Sequence, residues 1–209
     1  MASHGSQARS GAEPPGRSDV RRAWTVSVLA LVWTCLSAIA AVAIGIAKGS
    51  LVLVAFGAIG LVDALGSAAL AYHFGRGLRH ESLSERLEQL AHRIVLVGMT
   101  VVGVGAVAGG GLRLIDGAVT EASALGTALA AVSLAVLAGL SAWKQRVAAR
   151  VGSPALRSDG HLSAVGAGQA AVTLLGTLTT RIGWHWADPV AAAVVGCVAL
   201  SVSVRTGRP

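Results

Sequence analysis

Six apolar runs, each long enough to cross a bilayer, constrain this chain more than any other feature of its sequence. A helix rises about 1.5 Å per residue and needs roughly 20 apolar residues to cover the hydrocarbon core. Runs of that kind occupy residues 23–47, 51–72, 94–115, 122–143, 155–180 and 186–204. With 54% hydrophobic and 13% charged residues in 209, and a mean hydropathy of +0.67, water is the wrong solvent for the whole. The expected fold is an all-α integral membrane protein, a bundle of six transmembrane helices. Its partner is the lipid bilayer, and it is expected in a cell membrane as a multi-pass protein. Abundant Ala, Gly and Arg with sparse Lys point further to a bacterial plasma membrane.

The net charge of +7 would invite nucleic acid if it were clustered, so its distribution decides. Arg9, Arg17, Arg21 and Arg22 precede the first run. Arg76, Arg79, Arg86 and Arg93 separate the second from the third, and Lys144, Arg146, Arg150 and Arg157 the fourth from the fifth. Arg205 and Arg208 end the chain. The remaining turns hold Lys48, Arg113 and Arg181, one each. Basic residues concentrate on the cytoplasmic side of membrane proteins, so both termini are expected in the cytoplasm. The charge needs no nucleic acid. Residues 1–22, rich in Ser, Gly, Pro and Arg, read as a disordered cytoplasmic tail rather than a cleaved signal peptide. Trp24, Trp143, Trp184 and Trp186 fall at expected span ends, where an indole prefers the headgroup layer. Ser82 and Glu85 form a capping box from which the third helix would begin, and Gly105 with Gly109 would let helix backbones approach. Gly103, Gly105 and Ala108 match a dinucleotide fingerprint in form only, since no strand precedes them.

Acidic residues inside the spans are the candidates for chemistry, because a charge at mid-bilayer costs about 2.5–3.5 kcal/mol on insertion scales. They are Asp63 in the second span and Asp159 near the start of the fifth. Asp159, Ser163, Gly166, Gln169, Thr173, Thr177 and Thr180 recur every three or four residues and draw one polar stripe down the fifth helix. Gly60, Asp63 and Ser67 make a shorter one on the second. Depth counting from the span ends places Asp63 and His161 within about 3 Å of the same level. Asp63, Asp159 and His161, with Ser67 and Gln169 as weaker members, are therefore the expected ligands of a divalent cation, zinc among the possibilities. The cation would be transported substrate, with no cofactor. Protons compete for the same groups, which makes cation/proton exchange the natural cycle. The alternative is that Asp63 and Asp159 pair with helix caps, backbone or an arginine such as Arg157. Cys35 and Cys197 read as packing residues, and His185 and Asp188 as caps of the sixth span. No HExxH and no nucleophile with a base point to an enzyme.

Three segments, GSLVLVAFGAIGLVDALGS (49–67), KQRVAARVGSPALRSDG (144–160) and WHWADPV (184–190), resemble the membrane domain of the cation diffusion facilitator family over roughly residues 23–207. The resemblance implies a six-helix transporter exchanging zinc or a related ion, in the efflux direction, for protons. It also implies a metal site from two acidic residues four apart on the second helix and a His or Asp followed four later by Asp on the fifth. Those positions hold Ile59, Asp63, Leu162 and Gly166, while Asp159 matches the acidic residue that precedes the fifth-helix pair. A C-terminal cytoplasmic domain, present in many relatives, is not expected. A homodimer would then form through the membrane helices, with the glycine-rich third helix as its face. The opposing expectation is a transport-inactive relative serving as a membrane scaffold or partner subunit.

Overall fold

The computed structural model describes residues 17–78, 85–117 and 119–206. Six helices follow one another: α1 (Arg17–Lys48), α2 (Leu51–Leu78), α3 (Glu85–Asp116), α4 (Ala124–Val151), α5 (Pro154–Arg181) and α6 (Ala187–Thr206). All six are long and apolar enough to cross a membrane, and the described residues include no strand. Side chains such as Leu36, Ile46, Val97, Leu125 and Leu175 stand exposed on the outside, whereas Ser67, Ser133, Thr173 and Asp188 are buried. This inside-out distribution suits a bundle solvated by lipid, since apolar surface costs nothing there and polar groups need partners within the protein.

Several helix limits extend beyond the apolar runs. A hydropathy run ends at its first charges, but backbone hydrogen bonding continues through Arg and Lys until a stop signal intervenes. So α1 starts at Arg17, making Arg17–Arg22 helical rather than part of a disordered tail, and α2 runs to Leu78. At its other end α4 passes Trp143 by two turns and stops at Gly152, which adopts φ 68°. Ser153 then caps α5, accepting from the Leu156 amide at 3.2 Å, with Pro154 in the first turn. α3 does begin at Glu85, whereas Ser82 of the capping box lies outside the described residues.

α1 packs along α2, α4 along α5 and α3 along α6, while α2 also touches α3, α5 and α6. That places α2, and with it Asp63, at the centre. Close approaches are made by glycine. A Cβ on Gly57 would sit 2.6 Å from the Ala38 carbonyl oxygen and 2.9 Å from the Val42 nitrogen of α1. Gly57→Val is therefore expected to push α1 from α2 and cost about 1–3 kcal/mol, read as a lower melting temperature in detergent. An unchanged melting point would mean the two helices can part freely. On α3 the glycines against α6 are Gly103 and Gly110, whose Cβ atoms would meet the Gly196 and Pro189 carbonyl oxygens at 3.0 and 2.6 Å. Gly109 faces Leu51 of α2, and among the described residues nothing lies within 4 Å of a Cβ on Gly105. The expected Gly105/Gly109 pair thus does not make the α3–α6 contact, which falls on the face of Gly103 and Gly110 instead.

The turn between α1 and α2 is held from two sides. Arg113 and Thr120 donate to the Gly49 carbonyl, the latter at 3.3 Å, and the Glu121 amide donates to the Lys48 carbonyl at 3.1 Å. The Lys48 ammonium, 2.9 Å from Glu121, holds that carboxyl below its ordinary range, although so exposed a pair adds little stability. From within, Asp188 of α6 accepts from the Ser50 hydroxyl and from the amides of Leu51 at 2.8 Å and Val52 at 3.4 Å. Asp188 caps α2, not the helix it belongs to. Its carboxylate already sits in the first turn of α6, and the free N–H groups nearest to it are those across the interface.

Candidate functional site

The polar stripe of α5 does face inward. Asp159, Ser163, Gln169, Thr173, Thr177 and Thr180 are all buried. Its C-terminal third is satisfied locally: the hydroxyls of Thr173, Thr177 and Thr180 donate to the carbonyls of Gln169, Leu174 and Gly176. The middle of the stripe opens on a cavity of about 30 Å³ between α1, α2 and α5, with edges from Met99 and Leu137. That is room for an ordered water or a small dehydrated ion. Asp63 of α2 lines it, half-buried, together with Gln169 of α5 and Thr34 and Ser37 of α1. Gln169 is 4% exposed, and its side-chain nitrogen has no hydrogen-bond partner. A buried amide left open beside such a space has room for a polar partner, such as an ordered water.

The N-terminal third of the stripe is occupied by a charge that hydropathy alone assigns to a loop. Lys144 of α4, 0% exposed, reaches inward so that its Nζ lies 2.6 Å from Oδ2 of Asp159 and 2.9 Å from the Ser163 hydroxyl, to which it donates. Ser67 of α2 donates to the other Asp159 oxygen at 3.4 Å. One layer below, Ser141 donates to the Gly160 carbonyl at 2.8 Å and receives from the Gln145 amide. Asp63 lies within electrostatic range of both members of the ion pair. Pairing of Asp159 was one reading of the sequence, with Arg157 as the partner; the partner is Lys144, because α4 continues past Trp143.

His161 does not join them. It lies two residues after Asp159, a turn of about 200° around the helix axis, and its side chain is exposed on the outside of α5. Depth counting put it at the right level and on the wrong side. Ser67 and Gln169 are buried and drawn into the site, each beside a different carboxylate. Cys35 is partly buried and Cys197 exposed, both as free thiols. Among the described residues no three His, Cys, Asp or Glu side chains gather as a metal cluster.

Residues 27–209 match the family model for the cation efflux transmembrane domain. The chain belongs to the cation efflux family. Its members are metal cation transporters, and the match supports that class of function for this chain. No curated protein matches the chain. In this cation efflux protein Ile59, Asp63, Leu162 and Gly166, the four positions that the resemblance makes metal ligands, all line the same cavity. The positions that the resemblance singles out thus share one cavity with a single carboxylate among them, and Gln169, one turn beyond Gly166, adds an amide to its lining.

Proposed function

We propose that this protein carries a divalent metal cation out of the cytoplasm in exchange for protons, with Asp63 as the anionic ligand. The cavity that combines the Asp63 carboxylate with the unpartnered Gln169 amide carries this reading. Turned about its terminal bond, that amide offers an oxygen, and Thr34 and Ser37 add hydroxyl oxygens. An all-oxygen donor set without histidine or thiolate favours a hard cation such as manganese or magnesium over zinc. Cation and proton compete for one carboxylate, so loading from one side releases a proton there. The excess of basic residues near both chain ends and in the two turns on that side supports cytoplasmic termini, with or without Lys144.

Flux of manganese, magnesium, cobalt and zinc into proteoliposomes under a pH gradient tests this. Asp63→Asn, nearly isosteric, is expected to abolish flux while leaving the elution volume and helical circular dichroism of the native protein. Apolar or absent side chains at Ile59, Leu162 and Gly166 favour the second reading, a transport-inactive scaffold. Absence of any flux from well-folded native protein would establish it and sink the first.

A further inference from the structure

A lysine fully buried in a membrane bundle is costly to insert and persists where a carboxylate needs it. Lys144 is built into its place. Gly160 of α5 has no side chain where a Cβ would come 3.3 Å from the Lys144 Cβ and 3.1 Å from Gln145 Cγ, so the stem passes close against α5. Its ammonium then finds Asp159 and the Ser163 hydroxyl, while Ser67 reaches the far carboxylate oxygen. A monovalent cation with two oxygen acceptors occupies this layer, one carboxylate away from a cavity that holds Asp63 and space for an ion. Lysine and Asp159 sum to zero charge.

We propose that Lys144 is a tethered cation that fills, at Asp159, the place a mobile cation would otherwise take, so that Asp63 alone is left open to cargo. Lys144 thereby limits the charge the bundle can bind. Without it, two carboxylates on facing helices, Asp63 and Asp159, would share one low-dielectric interior with the Ser67 and Ser163 hydroxyls, oxygen donors of the kind a divalent ion takes. That the cargo sits at Asp63 rests on the transporter reading; the occupation of Asp159 does not.

Equilibrium binding of manganese to the purified full-length protein in detergent separates the two. Lys144→Gln keeps a hydrogen-bond donor of similar reach and removes the charge. It is expected to bind manganese at least about tenfold more tightly than the native protein at the same pH and ionic strength, since the ion then meets an unpaired second carboxylate in the same interior and no competing ammonium. Adding Asp159→Asn is expected to remove the gain. Equal affinity in native protein and Lys144→Gln overturns the proposal, as does a gain that survives Asp159→Asn. Should Lys144→Gln be unstable in metal-free buffer, manganese is expected to restore its melting temperature, and failure to do so overturns the proposal as well. Tight binding by Lys144→Gln beside none by native protein would support the tethered cation and sink the transporter reading. Binding by native protein that Asp63→Asn abolishes and Lys144→Gln leaves unimproved would do the reverse.

Discussion

Asp159→Ala is expected to destabilise the bundle by about 3–5 kcal/mol, the range found when one member of a buried ion pair is removed and its partner stays. Lys144 would be left with the Ser163 hydroxyl as its acceptor, and Ser67 would lose the oxygen it donates to. The stem cannot carry its ammonium to water, because it is packed against the α5 backbone at Gly160 and shows no exposed surface. Thermal unfolding in detergent, followed by the fluorescence of the five tryptophans, should show the loss directly. The double replacement Lys144→Met with Asp159→Leu is expected to recover most of it, since an apolar pair of similar volume needs no partners. A divalent cation should restore Lys144→Gln, which leaves a lone carboxylate, and leave Asp159→Ala unaffected, which leaves a lone ammonium. A melting temperature for Asp159→Ala within a degree or two of native would mean that the pair is solvated and that its short distance carries no energy.

The same residues show what periodicity reads well and where it stops. The stripe from Asp159 to Thr180 was legible because polar residues at intervals of three and four within an apolar run have one face to share, and all of its side chains but Asp159, Ser163 and Gln169 are satisfied within their own helix. Asp63 was legible as a charge in a span. Lys144 was not, since a hydropathy run is closed by its first charged residue and a buried lysine closes it as a loop lysine does. The useful signal lay elsewhere, in Gly152, Ser153 and Pro154: an αL stop, a cap and a first-turn proline place the end of α4 at Val151. Once the helix is extended, Ser133, Leu137, Leu140, Ser141 and Lys144 fall at spacings of three and four on one buried face. His161 fails for a related reason. Depth along a helix is one coordinate, and azimuth, set by its distance of two residues from Asp159, is the other. Gln169 and Leu162 illustrate the gain from combining them, since the stripe and the family spacing converge on one cavity that neither locates alone.

Asp188→Ala is expected to cost at least about 3 kcal/mol, because its carboxylate satisfies three groups at once and each buried polar group left alone costs roughly 1–3 kcal/mol. The Leu51 and Val52 amides and the Ser50 hydroxyl would lose their acceptor at the first turn of α2, inside a fold where lipid offers no substitute. The negative charge facing the positive end of the α2 dipole would go with them. Asp188→Asn, which keeps the shape and one acceptor oxygen, is expected to fall between. Hydrogen exchange separates this effect from general loosening: Leu51 and Val52 should exchange faster in Asp188→Ala, while amides around Lys144 and Asp159 keep their protection. Asp63 lies 12 residues further along α2, about 18 Å from Leu51, so a rigid helix would transmit a shifted start to the cavity. Manganese affinity is then expected to fall in Asp188→Ala although the residue touches no cargo. Unchanged exchange at Leu51 and Val52 would show instead that Ser50, whose hydroxyl also accepts from the Leu53 amide, caps α2 unaided.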